Sequence, residues 1–185
     1  MGEQHKKHNR LEHLNDFHLN VAGEYVYDGA LYACQNDDAK QRRSKRAVWG
    51  MAAILTVAVA AGGCIPAPGM QNCFYVLLPY LGEFLGAASV IWALAKLGTD
   101  WSTVREYNYK KSVAVLPVRT AVTAVFSLLG IVCELIFFFV NDHAGQTFFA
   151  LLYVLLKLTA LLSALVLRAE IMQAEWDKLP KKDNF

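Results

Sequence analysis

Charged residues are scarce in this chain and unevenly distributed. They make up 18% of its 185 residues, against about 25% in a typical soluble protein, whereas hydrophobic residues make up 55%. Of the 18 Lys and Arg residues, 16 lie in segments 1–46, 96–111 and 168–185. This distribution excludes a soluble enzyme, a nucleic-acid-binding domain and a secreted disulfide-rich scaffold. We therefore predict an all-α, polytopic integral membrane protein that has the lipid bilayer, and no nucleic acid, as its partner.

Catalytic and cofactor-binding motifs are also missing. The chain has four cysteines but no C-x-x-C, no phosphate-binding glycine loop and no helix carrying paired metal ligands. Four histidines lie in the polar N-terminal segment, but only His5 and His8 have the spacing that one helix face needs to share a metal ion; His13 and His18 do not. We expect no catalytic residue, no metal site and no cofactor, and a protein that is not an enzyme.

Four apolar stretches are candidates to cross a hydrocarbon core of about 30 Å, which takes about 20 residues of helix. They cover about residues 47–63, 74–97, 113–140 and 147–167. Each must be helical because lipid offers no partner for an unbonded backbone group. The sequence therefore predicts a four-transmembrane-helix bundle over residues 47–170.

The positive charges predict the orientation of this bundle. Residues 40–46, at the end of the N-terminal segment 1–46, contain five Lys and Arg in seven positions, and the C-terminal end, with the tail 171–185, carries Arg168, Lys178, Lys181 and Lys182. The two loops over residues 64–73 and 141–146 contain neither Lys nor Arg. Because basic segments stay in the cytoplasm, both termini are predicted to be cytoplasmic. We expect a cell membrane, with the bacterial cytoplasmic membrane favoured.

The N-terminal segment contains one local structural signal. Asp28 and Gly29 stand between two short runs of residues with a preference for strands, which favours a β-hairpin over residues 24–34. An isolated hairpin is only marginally stable in water, so it would rest on the bundle or on a partner. The alternative is a tyrosine-rich turn without strand pairing.

Two of the four cysteines bracket one of the loops without Lys or Arg. Cys64 and Cys73 are separated by eight residues that include Pro66, Pro68 and Gly69, and these favour a tight reversal. On the external side of a membrane both thiols would meet an oxidising environment. The sequence therefore predicts a structural disulfide between them.

Three ionisable residues within the apolar stretches form the candidate functional site. Glu83, Glu134 and Lys157 are predicted to lie roughly 14, 10 and 15 Å below the outer surface, and thus in one layer. Charges inside a membrane are costly and usually face the interior of a bundle. Helical spacing adds further polar side chains to the same faces, namely Thr120, Thr123, Ser127 and Tyr153.

Two interpretations of this polar cluster remain open at the level of sequence. In the first, it is an ion-paired layer that fixes the packing of the helices, and the protein is a non-catalytic subunit or accessory component. Such a protein would engage a partner through its cytoplasmic segments, as a homo-oligomer or within a larger membrane complex. In the second, the cluster lines a path, and the protein is a small oligomeric transporter or channel for a proton, a cation or a small solute.

Overall fold

The protein is mostly helical, with four helices long and apolar enough to cross a membrane, as the sequence predicts. Its structure, a computed structural model, describes residues 17–19, 23, 25–27, 29–141 and 147–179. The hydrophobic residues of these helices divide into two groups: small and branched side chains are buried between helices, and many larger ones are exposed on the outside. The protein is therefore a multi-pass membrane bundle.

The four long helices are α1 (Asp38–Cys64), α3 (Phe74–Leu97), α5 (Leu116–Val140) and α6 (Thr147–Gln173). At 1.5 Å per residue they are about 36–40 Å long, which exceeds the hydrocarbon core by up to about 10 Å. Helix α3 has the predicted bounds, whereas α1 begins earlier and α6 ends later than the apolar stretches. Hydrophobicity marks the part of a helix in lipid and does not report helical turns that continue into water.

The described residues also form two short helices. Helix α2 (Pro68–Asn72) lies in the loop between α1 and α3, and α4 (Glu106–Lys111) lies between α3 and α5. Helix α5 begins at Leu116 rather than at residue 113, with a proline in its first turn, where the missing N–H has no cost. Helix α3 ends at Gly98, whose φ of 70° suits a glycine.

The long helices form a ring in the order α1, α6, α5, α3, with α3 returning to α1. Helices α3 and α6 therefore face each other across the diagonal. Small residues allow close approach between neighbours: a Cβ atom at Gly86 of α3 would stand 2.5 Å from Thr123 Oγ1 of α5, and one at Gly82 would stand 2.5 Å from the Phe126 ring. These two glycines, one helical turn apart, fix the contact between α3 and α5.

Within the described residues, five short strands lie outside the long helices. Strand β1 (Phe17–Leu19) pairs antiparallel with β2 (Tyr25–Tyr27). Strand β3 (Leu31–Cys34) is the centre of a second sheet, in which it pairs antiparallel with β4 (Val104–Arg105) on one side and β5 (Trp176–Lys178) on the other. The segments before α1, between α3 and α5, and after α6 thus meet at one end of the bundle. We call this three-stranded unit, with the loop residues packed on it, the cap.

The predicted hairpin over residues 24–34 is wrong in its pairing, because its two strands belong to different sheets. In the cap, β3 pairs with two strands, and its side chains contact aromatic rings from other segments of the chain. Tyr32 stacks on Tyr109 with ring centroids 4.2 Å apart, and Trp176 lies 5.8 Å from Tyr109 and 5.7 Å from Trp101. Burial of these aromatic rings outweighs the local turn signal.

The predicted disulfide is not formed in this structure, where Cys64 and Cys73 are both free. The residues between them do not make a simple reversal. They include α2, which packs against α3, α5 and α6 with Pro68 and Gly69 buried. The loop is therefore held by packing on the bundle, and this contact replaces the covalent link that the cysteine spacing predicts.

Candidate functional site

The centre of the bundle contains an ion pair between Glu83 of α3 and Lys157 of α6. The side chains of Glu83 and Lys157 are 0% and 2% exposed, so the pair is closed to its surroundings within the described protein. Because α3 and α6 lie on the diagonal, the lysine side chain must cross the bundle. It passes Gly130 of α5, where a Cβ atom would lie 3.5 Å from Lys157 Cε.

A hydroxyl group completes the coordination of the carboxylate. Ser127 of α5 donates a hydrogen bond of 2.6 Å to Glu83 Oε1, while Lys157 Nζ donates to Oε2. Three helices are thus joined at one carboxylate. A buried charge is tolerated when an opposite charge and hydrogen bonds compensate it, and each oxygen of this carboxylate accepts one hydrogen bond.

Two tyrosine rings lie beside the lysine ammonium group. Its Nζ atom is 4.6 Å from the ring centroid of Tyr80 and 5.0 Å from that of Tyr153. The electron-rich face of an aromatic ring attracts a cation, most strongly where water is excluded. Helix α1 gives these rings space, because its Gly63 lies against the Tyr80 hydroxyl group and Gly62 lies against the Tyr153 ring. All four long helices therefore surround the ion pair.

Glu134 contacts the short helix α2. Its Oε1 atom accepts a hydrogen bond of 3.3 Å from the backbone N–H of Gly69, in the first turn of α2. Glu134 lies two helical turns beyond Ser127, about 10 Å along α5. It interacts electrostatically with Lys157, but more weakly than Glu83 does. Its geometry is that of an anchor for the loop between α1 and α3.

The threonine hydroxyl groups of the predicted polar stripe are bonded within their own helix. Thr120 Oγ1 donates to the carbonyl oxygen of Leu116 at 2.9 Å, and Thr123 Oγ1 donates to that of Arg119 at 2.8 Å. Such bonds to the preceding turn are common for threonine in helices. The hydroxyl groups therefore form no continuous chain of side-chain hydrogen bonds towards Glu83.

The structure buries all seven residues of the predicted cluster but does not unite them into one site. Glu83, Ser127 and Lys157 are directly bonded, with the Tyr153 ring beside them. Sequence reasoning missed Tyr80 and Gly69. Tyr80 precedes Glu83 by three residues and so lies on the same face of α3, which is a signal that could have found it. No local pattern signals the contact of Gly69, which is 65 residues from Glu134.

Comparison with protein-family models, with curated proteins and with solved structures finds no match to this chain. The histidines considered as metal ligands give no further information: His5, His8 and His13 lie outside the described residues, as does the side chain of His18. The chemistry of the site must therefore be argued from its geometry. The site consists of a carboxylate and an ammonium group in direct contact, a serine hydroxyl group and two aromatic rings, contributed by α3, α5 and α6.

We expect Lys157→Met to lower the thermal stability of the detergent-solubilised protein strongly. This substitution leaves the Glu83 carboxylate buried without its cation, and removing one partner of a buried pair typically costs about 3–5 kcal/mol. Glu83→Gln combined with Lys157→Met removes both charges and keeps an acceptor for Ser127. The double variant should therefore unfold at a higher temperature than the single variant.

The matched control is Lys96→Met, which removes a partly exposed lysine from the last turn of α3. Its unfolding temperature should stay close to that of the wild type. A double variant as unstable as Lys157→Met alone would contradict the assignment of the ion pair as mutual compensation of two buried charges.

Proposed function

We propose that the protein is a non-catalytic integral membrane protein, a small subunit or accessory component that engages a partner through the cap. The closed polar layer carries this proposal. Glu83 and Lys157 neutralise each other at 0% and 2% exposure, and the Ser127 hydroxyl group donates a hydrogen bond to Glu83. A carrier or a catalyst needs a polar group that can exchange a proton or a ligand, whereas this arrangement favours a single packed state.

The cap supports the second part of the proposal. It gathers three separate segments of the chain into one unit, and the first turns of α1 and the end of α6 extend towards it. A hydrogen bond of 3.0 Å from Ser44 Oγ to Glu170 Oε2 joins these extensions. In the loop before β4, Ser102 donates to Asp100 through both its hydroxyl and its N–H group, which lowers the pKa of that carboxyl group and fixes the turn that carries Trp101. A built surface of this kind is suited to recognition.

Charge supports an orientation with the cap in the cytoplasm. The exposed residues Arg42, Arg43 and Arg46 lie at the end of α1 next to the cap, and the loop over residues 65–73 at the other end has no Lys or Arg. The positive-inside rule then places both termini in the cytoplasm and α2 on the external side. Exposed Trp92, near the cap end of α3, suits the inner membrane interface.

In this orientation Cys64 should react with a membrane-impermeant maleimide on intact cells, because Cys64 is exposed at the external end of α1. Labelling is measured with and without mild reduction, since both thiols of the loop face an oxidising side. In a background of Cys64→Ser and Cys73→Ser, a cysteine introduced by Arg42→Cys should react only after permeabilisation. Labelling of Arg42→Cys on intact cells, with Cys64 labelled only after permeabilisation, would show that the orientation is the reverse of the one proposed.

The partner is tested by site-specific photo-crosslinking in native membranes. A photoreactive phenylalanine derivative replaces Asp177, an exposed residue of β5, and in a matched control it replaces Gln71, an exposed residue of α2. We expect a discrete adduct from position 177 and none from position 71, because the proposal assigns recognition to the cap. Absence of any adduct at position 177, or the same adducts at both positions, would contradict the proposal.

A second candidate function is a small oligomeric transporter or channel for a proton, cation or small solute that uses Glu83, Glu134 and Lys157. One observation favours it. The hydroxyl group of Tyr153 is fully buried and has no hydrogen-bond partner in the described part of the chain. An unsatisfied buried donor costs about 1–3 kcal/mol, a cost that is relieved if a water molecule or an ion enters beside it. Both carboxylates interact electrostatically with this tyrosine.

Ion flux in proteoliposomes separates the two candidates. If Glu83 transfers a proton or a cation, wild-type protein should show flux and Glu83→Gln should abolish it while the variant remains folded. Under the leading proposal wild-type vesicles show no more flux than protein-free vesicles. Flux in the wild type that is lost in folded Glu83→Gln would replace the leading proposal by the second candidate.

A further inference from the structure

A groove on the outer surface of the bundle lies between α5 and α6, near the cap. It has a volume of about 330 Å³ and an almost entirely apolar wall that includes Val118, Val122 and Val125, which are 65%, 45% and 56% exposed. The charged residue that lines it is Arg168 of α6, and Phe126 of α5 also lines it. The groove is separate from the buried polar layer, whose residues face the inside of the bundle.

The register of the helices places the charge at one end of this groove. Gly130 of α5 lies against Lys157 of α6, and these helices run in opposite directions. Arg168 follows Lys157 by eleven residues and Arg119 precedes Gly130 by eleven, so both arginines lie at the same level. Phe126 lies about 10 Å further from the cap along α5. The groove is therefore cationic near the cap and apolar deeper in the bundle.

The two arginines at this level have different surroundings. Arg119 Nη1 donates a hydrogen bond of 2.6 Å to the carbonyl oxygen of Ser89, so its guanidinium group is directed to α3. Arg168 is exposed on α6 and lines the groove. The guanidinium group that can reach a ligand in the groove is thus that of Arg168.

The position of Arg168 relative to the membrane boundary is inferred from a tryptophan on α3. Contacts of Gly86 with Thr123 and of Ser89 with Arg119 fix the register of α3 against α5, and they place Trp92 at the level of Pro117. Trp92 is 63% exposed, and tryptophan prefers the boundary between hydrocarbon and headgroups. Arg168 therefore lies just inside this boundary, from which a long arginine side chain reaches the phosphate level.

We propose that this groove is a binding site for an anionic phospholipid of the leaflet next to the cap. Arg168 binds the phosphate group through charge-assisted hydrogen bonds, and the exposed valines contact an acyl chain that descends along α5. The match is one of polarity as well as of charge: the ligand must be charged at the boundary and apolar below it. A phospholipid has this order, whereas a soluble anion would have no use for the apolar wall.

The test measures lipid binding to the full chain, purified in mild detergent, by native mass spectrometry. Phosphatidylglycerol and phosphatidylcholine with identical acyl chains are titrated separately. We expect preferential binding of phosphatidylglycerol and a loss of about fivefold or more in its affinity in Arg168→Gln, because one basic residue at an anionic lipid contributes roughly fivefold. Val122→Trp, which fills the groove from the lipid side, should weaken both lipids.

Arg42→Gln is the matched control, because it removes an equal charge from an exposed site at the same end of the bundle but outside the groove. It should leave the affinity within twofold of wild type, and all three variants should keep the wild-type unfolding temperature without lipid. Equal affinity for the two lipids, an equal loss in Arg42→Gln and Arg168→Gln, or undiminished binding by Val122→Trp would each overturn the site.

Discussion

One ion pair across the diagonal of the bundle constrains the rest of the membrane domain. Neighbouring helices can adjust their contacts in pairs, but Glu83 and Lys157 belong to helices that face each other across the centre. Gly63 of α1 leaves the space that the Tyr80 hydroxyl group occupies beside the pair, and Gly130 of α5 lies in contact with the lysine chain. A shift of α3 or α6 would separate the buried charges, and leaving one of them unpaired in the interior is costly.

The cap supplies a second constraint, outside the lipid. Its sheet is too small to be stable alone, because each edge strand contributes only two or three residues. Aromatic contacts among Tyr32, Tyr109, Trp101 and Trp176 give it a core, and the long helices deliver the segments that contain these residues. The long helices thus position the strands of the cap, and strand pairing in the cap connects the ends of these helices.

The buried polar layer and the cap lie in different parts of the protein. The interior polar layer is buried, and Glu134 accepts a hydrogen bond from the short helix α2 at the opposite end of the bundle. The proposals above assign two surfaces, the cap to a partner protein and the groove beside Arg168 to a lipid. Both lie at the same end, so a partner on the cap and an anionic lipid in the groove would contact the protein side by side.

The sequence alone determined the class of the protein, the existence of four spans and the bounds of α3, because each depends on hydrophobicity that is local in the chain. It also identified the residues of the polar layer, since helical spacing shows which side chains share a face. The tertiary structure decided which of them are in contact. Glu83 accepts hydrogen bonds from Lys157 and Ser127, whereas Glu134 accepts one from Gly69. It also decided the partners of β3 and the fold of the loop between Cys64 and Cys73. These outcomes depend on contacts between residues far apart in the chain, and their energies come from burial and charge compensation that no local pattern records.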